Sequence, residues 1–459
     1  MNLAVVILAA GESTRMKSER PKVLHPLAGK PMVSYGVETA ALLGAGQPVL
    51  VVGHGMEQIR EVLGDTVEYV VQEERLGTGH AVLQARPLLE GRSDVVLVYY
   101  ADMPLLTVET LQRLLALHAE GRGPVTMLAL LAQDPRGFGR VLRDSAGCVL
   151  GIVEEVDCTP EQRAIGELNA GVYCFDAPWL WACLPRLPLS RKGEYYLTDS
   201  VGIAVAEGVG VAAVTTDDEA ECLGINTRVH LAEAEKVMRQ RINRRWMLAG
   251  VTLVDPQTTY IDATVQIGQD TVIYPNTHLR GETRIGSRCA IGPNCLLVDT
   301  TVGDRCAIKL SVAEEARLED DVDVGPFAHL RKGAHLARGV HMGNFGEVKD
   351  SYLGPGVKMG HFSYVGDAVV GAEANIGAGT VTCNYDGVHK HRTIIEEGAF
   401  IGSDTMLVAP VRVGAGAKTG AGSVVTRDVP PGSVAYGVPA RVRRKETEET
   451  GTPSPPSTS

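Results

Sequence analysis

Ile261-Asp-Ala-Thr-Val-Gln-Ile267-Gly-Gln-Asp-Thr-Val-Ile273-Tyr-Pro-Asn-Thr-His-Leu279 places an aliphatic side chain at every sixth residue. The row continues through Ile285, Ile291 and Leu297, resumes over Leu318, Val324, Leu330, Leu336, Met342 and Val348, and returns at Ile395, Ile401, Leu407, Val413, Thr419 and Val425. Glycine often follows, as in Ile267-Gly268, Ile285-Gly286, Ile376-Gly377, Ile401-Gly402 and Val413-Gly414. A period of six matches neither an α-helix nor a plain strand, but it matches a parallel β-helix, in which each short strand turns one aliphatic inward. One coil cannot bury its own apolar row, so coils stack into a stiff one-dimensional array.

Working outward, the register slips by one residue at Leu297→Val302, Val348→Leu353 and Val365→Val370, and an insertion opens at Cys383–Thr393. Slips and insertions in a repeat array map to loops, where function collects. His329, His335 and His341 share the spacing of six and read as one outward column. Cys289 and Cys295 read as small fillers in the same register. Cys383 reads as a thiol open to thiol reagents.

Residues 1–226 alternate apolar strands and helical patterns: strands at Leu3–Leu8, Pro48–Val52, Val67–Gln72 and Asp94–Tyr100, and helices at Ser34–Leu43, Met56–Leu63, Gly79–Leu89 and Thr107–Ala119. That alternation predicts a mostly parallel sheet covered by helices on both faces, with ligands at the carboxyl ends of the strands. Residues 227–248, free of Gly and Pro, predict one long linking helix, and the β-helix is expected from about Val251 to Val434. The tail from Lys445 onward has no apolar side chain beyond proline and is expected to be disordered.

The totals set limits. A chain of 459 residues implies more than one domain. A net charge of −11 argues against a dedicated nucleic-acid surface. Nine cysteines without a CxxC pair suggest neither a zinc ribbon nor a disulfide framework. Leu3–Ala10 is too short and lacks the basic start of a signal peptide, and no apolar run is long enough to span a bilayer, so a cytoplasmic location is expected.

Two stretches carry chemistry on their own terms. The loop Leu8-Ala-Ala-Gly-Glu-Ser-Thr-Arg-Met16, followed by Pro21-Lys22, is neither GxGxxG nor a P-loop. Its small residues still allow backbone N–H groups to meet phosphates, and Arg15 and Lys22 supply cations for a triphosphate. Asp102, closing the run Asp94–Tyr100, is placed to hold Mg²⁺. In the second half, polar residues gather between Arg331 and Tyr385, among them His361, a residue type well suited to general-base work.

These stretches resemble the nucleoside-diphosphate-sugar pyrophosphorylases. The motifs are Leu8-Ala-Ala-Gly11 with Thr14-Arg-Met16, Pro21-Lys-Val-Leu-His25, Gln72 with Leu76-Gly-Thr-Gly-His-Ala81, and Gly137-Phe-Gly-Arg140. Gly151-Ile-Val-Glu154, Asn169-Ala-Gly171, Gly193-Glu-Tyr-Tyr-Leu-Thr-Asp199 and Gly224-Ile-Asn226 also match. With the hexads, the resemblance narrows to the bifunctional bacterial N-acetylglucosamine-1-phosphate uridyltransferases/glucosamine-1-phosphate acetyltransferases.

The resemblance implies an α/β (Rossmann-like nucleotidyltransferase) domain over 1–226, a linker helix over 227–248, a left-handed parallel β-helix of hexapeptide repeats over 249–436, and a tail over 437–459. It implies acetyl transfer from acetyl-CoA to glucosamine-1-phosphate, then uridylyl transfer from UTP, making UDP-N-acetylglucosamine for cell-wall peptidoglycan in a cytoplasmic homotrimer. A rival expectation keeps the nucleotidyltransferase and makes the β-helix a non-catalytic oligomerising prop.

By residue, the resemblance gives Leu8, Ala9, Ala10, Gly11, Gln72, Gly77 and Thr78 to the uridine nucleotide, and Lys22 and Arg15 to phosphates. It gives Asp102 and Asn226 to Mg²⁺, and Gly139, Glu154 and Asn169 to the acetamido sugar with Tyr100 and Ala101 beside it. His361 becomes the general base. Arg331, Lys349, Tyr364 and Asn375 become ligands of the sugar phosphate. Ala378, Asn384, Tyr385, Ser403 and Ala421 line the acetyl-CoA site. The chain departs from the pattern at Glu12-Ser13, at Ala101, where glycine is usual, and near Val438, where a coenzyme-binding Arg is usual and Arg441, Arg443 or Arg444 would have to serve.

Overall fold

The computed structural model describes residues 2–11, 14–53, 55–135 and 137–443. Glu12-Ser13, Arg444 and the tail from Lys445 lie outside the described residues. The chain divides into two compact units, Met1–Met238 and Arg239–Ser459, the division falling within the helix Arg228–Leu248.

The first unit is built on Leu3–Leu8, which pairs in parallel with Val49–Val52 on one side and Val95–Tyr100 on the other. Alternate residues of that strand enter opposite cores: Val5 and Ile7 pack with Leu50 and Leu97, whereas Val6 and Leu8 pack with Val51 and Val98. Burial on both faces is why the run is apolar without a break. Glu68–Val71 extends the sheet beyond Val49–Val52, and Val211–Thr216 pairs in parallel with Val125–Leu131 at the far edge.

Within the main row of seven strands, one runs against the others. Glu167–Asp176 lies antiparallel between Val95–Tyr100 and Val125–Leu131, with an irregularity between Asn169 and Tyr173. It also carries the hairpin Arg140–Arg143/Val149–Val153. The helix expected over Gly79–Leu89 is two, Thr78–Leu83 and Arg86–Leu89. Pro87 is the reason: without an N–H it cannot continue a helix but suits the first turn of a new one. Thr107, where a helix was expected to begin, caps Val108–Ala119, its hydroxyl accepting from the Thr110 N–H.

The second unit is the stacked array. Its strands form three sheets of twelve, ten and nine strands, visited in rotation and parallel except for the last strand of the twelve. Leu279 lies between Ile261 and Leu297, and Ile285 between Ile267 and Val302. Val348, Leu353, Met359, Val365 and Val370 are all buried, following the row through its slips. Two further five-residue steps, Ile308→Ala313→Leu318, carry no aliphatic signal because alanine fills the inward position between them. Thr419 turns inward as a hydroxyl, accepting from Gly402 N–H at 2.9 Å and facing Thr405 Oγ1 at 3.0 Å. Glycine after the inward aliphatic reflects close stacking: a Cβ on Gly268 would lie 2.6 Å from the backbone of the next coil.

The histidine column does not form. With three strands per coil, residues six apart sit on three different faces: His329 pairs with Glu347, His335 with Tyr352, and His341 with Lys358. Each histidine meets its own carboxylate, Glu314, Glu319 and Asp323 respectively. Cys289 and Cys295 are free and buried.

Truncating an inward aliphatic removes contacts with the coils on both sides. Leu318→Ala is expected to cost about 2–5 kcal/mol. The outward neighbour change Arg317→Ala should stay within about 0.5 kcal/mol. Urea unfolding followed by circular dichroism reads both.

Candidate active sites

The three central parallel strands end at one edge, where Leu8 pairs with both Val51 and Tyr100. The loop after Leu8 is pinned there: Ala9 N–H donates to Val51 O at 2.8 Å, and Ala101 N–H donates to Leu8 O at 3.0 Å. Ala101 is buried and is not among the described residues with positive φ, so this backbone does not require glycine.

Asp102 follows, and its carbonyl accepts from Ile225 N–H at 2.9 Å, which brings the neighbouring Asn226 alongside. Lys22, on the turn Lys22–Leu24, reaches both: its Nζ lies 2.5 Å from Asp102 Oδ2 and donates to Asn226 Oδ1 at 2.9 Å. Two hard oxygen donors therefore converge on one cation, an arrangement that fits Mg²⁺, which favours one or two carboxylates with other oxygens. Arg228 on the following helix lies 3.2 Å from His25 Nδ1, and Glu235 accepts from Ala28 N–H at 2.9 Å. Burial, then Arg228, lowers the His25 pKa. These contacts fix the backbone of the Lys22 segment. Arg15 is exposed on the turn Thr14–Met16, and Gly11 is exposed at the end of its loop.

Beside this cluster, the buried Gln72 donates to Gly77 O at 3.0 Å, and Thr78 Oγ1 accepts from Leu197 N–H at 2.9 Å. Asn169 Oδ1 accepts from Gly171 N–H and from Tyr173 O–H, while Asn169 N–H donates to Gly139 O at 2.8 Å. Thr198 donates to Glu154 Oε1 at 3.2 Å. Burial, then Asp102 and Glu154, keeps the Tyr100 hydroxyl protonated far above its usual range, and burial raises Asp199. Gly171 makes room for that ring: at φ +77° an added Cβ would lie 2.8 Å from Tyr100 Cε2. Polar side chains able to donate and accept thus gather beside the Lys22–Asp102–Asn226 cluster.

In the second unit His361 sits exposed at the corner between Lys358–Met359 and Ser363–Gly366. It lines a groove of about 600 Å³ with Lys358, Asn375, Ala378, Ser403 and Ala421. Lys349 and Tyr364 belong to the sheet beyond that corner, and Arg331 directly follows its strand His329–Leu330. Arg331 bonds Glu347 at 2.8 Å, which raises its pKa, and Glu347 pairs with Tyr364. Asn384 Nδ2 donates to Asp367 Oδ2 at 2.5 Å and to Tyr364 OH at 3.3 Å.

The adjoining Lys390 ammonium holds Lys349 below its ordinary value. Sequence reading missed Lys390, since one more lysine in a polar insertion carries no pattern. Tyr385 is exposed on that insertion, with its hydroxyl on Gly387 O and Asp386 paired to His391 at 2.6 Å. Burial raises the Cys383 thiol, which disfavours the thiolate. Arg441 and Arg443 lie on Ala440–Arg443, the strand that turns back along Val434–Gly437.

A family described as MobA-like NTP transferase domain matches residues 5–150, and the bacterial transferase hexapeptide family matches 264–298 and 392–427. The fold is therefore an N-terminal nucleotidyltransferase domain followed by a left-handed β-helix of hexapeptide repeats. Over nearly its whole length the chain is similar to proteins named Bifunctional protein GlmU. That of Heliobacterium modesticaldum is 51% identical over 94% of each chain. That of Trichlorobacter lovleyi is 50% identical over 94% of this chain and 95% of the relative, and that of Geobacillus sp. strain WCH70 is 48% identical over 96% of each. Matches this extensive, spanning both units, mean that the chain belongs to the bifunctional GlmU family.

Proposed function

We propose that the chain makes UDP-N-acetylglucosamine in two reactions: acetyl transfer from acetyl-CoA to glucosamine-1-phosphate, then uridylyl transfer from UTP to N-acetylglucosamine-1-phosphate with release of pyrophosphate. The observation that carries it is two separate polar sites in one chain, a Lys22–Asp102–Asn226 cluster at strand ends and a His361 groove on the β-helix.

At the β-helix, His361 takes the proton from the sugar ammonium so that the free amine attacks the thioester carbonyl and the coenzyme leaves as thiol. Arg331, Lys349 and Tyr364, joined by Lys390, hold the sugar phosphate. The adjoining like charges of Lys349 and Lys390 favour an anion beside them. Asn375 stands beside His361, while Ala378, Asn384, Tyr385, Ser403 and Ala421 take the coenzyme.

At the strand ends, the loop Leu8–Gly11 with Gln72, Gly77 and Thr78 holds the uridine nucleotide, and Gly139, Glu154, Asn169 and Tyr100 hold the acetamido sugar. Asp102 and Asn226 would hold Mg²⁺, which when bound supplies positive charge to the phosphate oxygens. Lys22 and Arg15 offset the charge that develops as the sugar phosphate displaces pyrophosphate.

The protein works as a cytoplasmic homotrimer formed through the β-helix. No helix among the described residues is long and apolar enough to cross a membrane. Phe327, Phe345 and Phe362 stand exposed at successive turns of one corner, and the first two rings stack at 5.2 Å, an apolar edge suited to a second copy. Phe345→Asp should shift the protein from trimer to monomer in sedimentation velocity.

A coupled assay of UTP, acetyl-CoA and glucosamine-1-phosphate with Mg²⁺, following free thiol and pyrophosphate, tests the two reactions. His361→Ala should slow thiol release by roughly 10²–10⁴-fold, yet leave pyrophosphate release from supplied N-acetylglucosamine-1-phosphate intact. Asp102→Ala should do the reverse. A wild-type protein that releases pyrophosphate but never thiol would make the β-helix a prop.

A further inference from the structure

We infer that Lys22 occupies the cation position of the first site and keeps free divalent metal out until a triphosphate draws its ammonium away. This rests on the nucleotidyltransferase reading above. The Lys22 Nζ engages the Asp102 carboxylate oxygen and the Asn226 amide oxygen together, at 2.5 and 2.9 Å. A divalent ion held by the same two oxygens would stand within a few ångströms of that ammonium, and the two cations would repel.

The lysine and aspartate side chains are only 11% and 17% exposed, so solvent screens the pair weakly. With Lys22 in place the Asp102 carboxylate is already neutralised, and the pair offers a metal little net attraction.

The switch is confined to one side chain. The backbone of the segment is tied by the Arg228–His25 and Glu235–Ala28 contacts, whereas the lysine side chain hangs on a flexible four-carbon stem. A triphosphate arriving at the loop Leu8–Gly11 presents several negative charges to the same ammonium. Once Lys22 turns to the phosphates, Asp102 and Asn226 are released together and metal can enter beside the nucleotide. Nucleotide and metal therefore strengthen each other's binding, and by linkage the effect is mutual. Lys22 acts here as a positioning residue in addition to its contact with phosphate.

The test uses the full-length protein with Mn²⁺ as the probe, titrated by electron paramagnetic resonance, counting only binding that is lost in Asp102→Ala. Wild-type protein should bind Mn²⁺ at this site roughly tenfold or more tightly with UTP than without it. Lys22→Met, which keeps the stem and removes the charge, should bind Mn²⁺ without UTP roughly tenfold more tightly than wild type. Lys22→Arg, which keeps the charge, should stay as closed as wild type. Lys22→Met no tighter than wild type, or Lys22→Arg opened as far as Lys22→Met, would overturn the inference while leaving the metal reading standing. Wild-type protein that holds no Mn²⁺ at Asp102 even with UTP would overturn both.

Discussion

No coil of the second unit can satisfy its own backbone. Its strands are mostly two to four residues long, and their N–H groups are bonded to carbonyls of the next coil, as Gly268 N–H is to Ile285 O and Gly286 N–H is to Val302 O. The inward aliphatics obey the same rule, each touching its counterparts in the neighbouring coils and contributing about 1.5–3 kcal/mol of burial only because those neighbours are present. Everything functional on this unit inherits that dependence. The groove around His361 is a set of corners and faces from adjacent coils, and its spacing follows from the stack.

This explains what could be read in advance and what could not. The β-helix was legible because Ile261, Ile267, Ile273 and their successors repeat one choice many times over. It blurred where alanine stood in, at Ala313, since a small inward residue looks like any other alanine. Stacking was misjudged for His329, His335 and His341, because sequence shows the period of six but not that three such steps make one coil. In the first unit the buried parallel strands announced themselves as apolar runs. Glu167–Asp176 did not announce its direction, which is set by neighbours distant in sequence. Motif residues such as Lys22 and Asp102 could be named from the chain. That Lys22 touches both Asp102 and Asn226 could not, as it depends on three segments meeting at one strand edge.

The two sites solve opposite electrostatic problems. At the strand edge, Lys22 and Asp102 are already paired and only partly exposed, so their charges offset each other. On the β-helix face, Arg331 is held by Glu347, whereas Lys349 and Lys390 adjoin each other with Asp367 as the carboxylate near both, so cations outnumber anions there. The first arrangement suits a ligand that brings its own counter-charge; the second suits a small anion arriving alone. Both are built on stiff supports, a doubly covered sheet and a stacked prism, so that ligand charge moves side chains and not backbone.

The strand Ala440–Arg443, which folds back antiparallel on Val434–Gly437, is the last of the largest of the three sheets among the described residues. A stack of parallel coils has no intrinsic length: its final rung offers the same row of N–H and C=O groups that recruited every rung before it. Reversing direction there replaces a template for further parallel growth with a rung of the wrong polarity, flanked by Arg441 and Arg443. A fold that resembles the repeating core of a fibre is in this way given an end on that face, and remains a molecule of defined size.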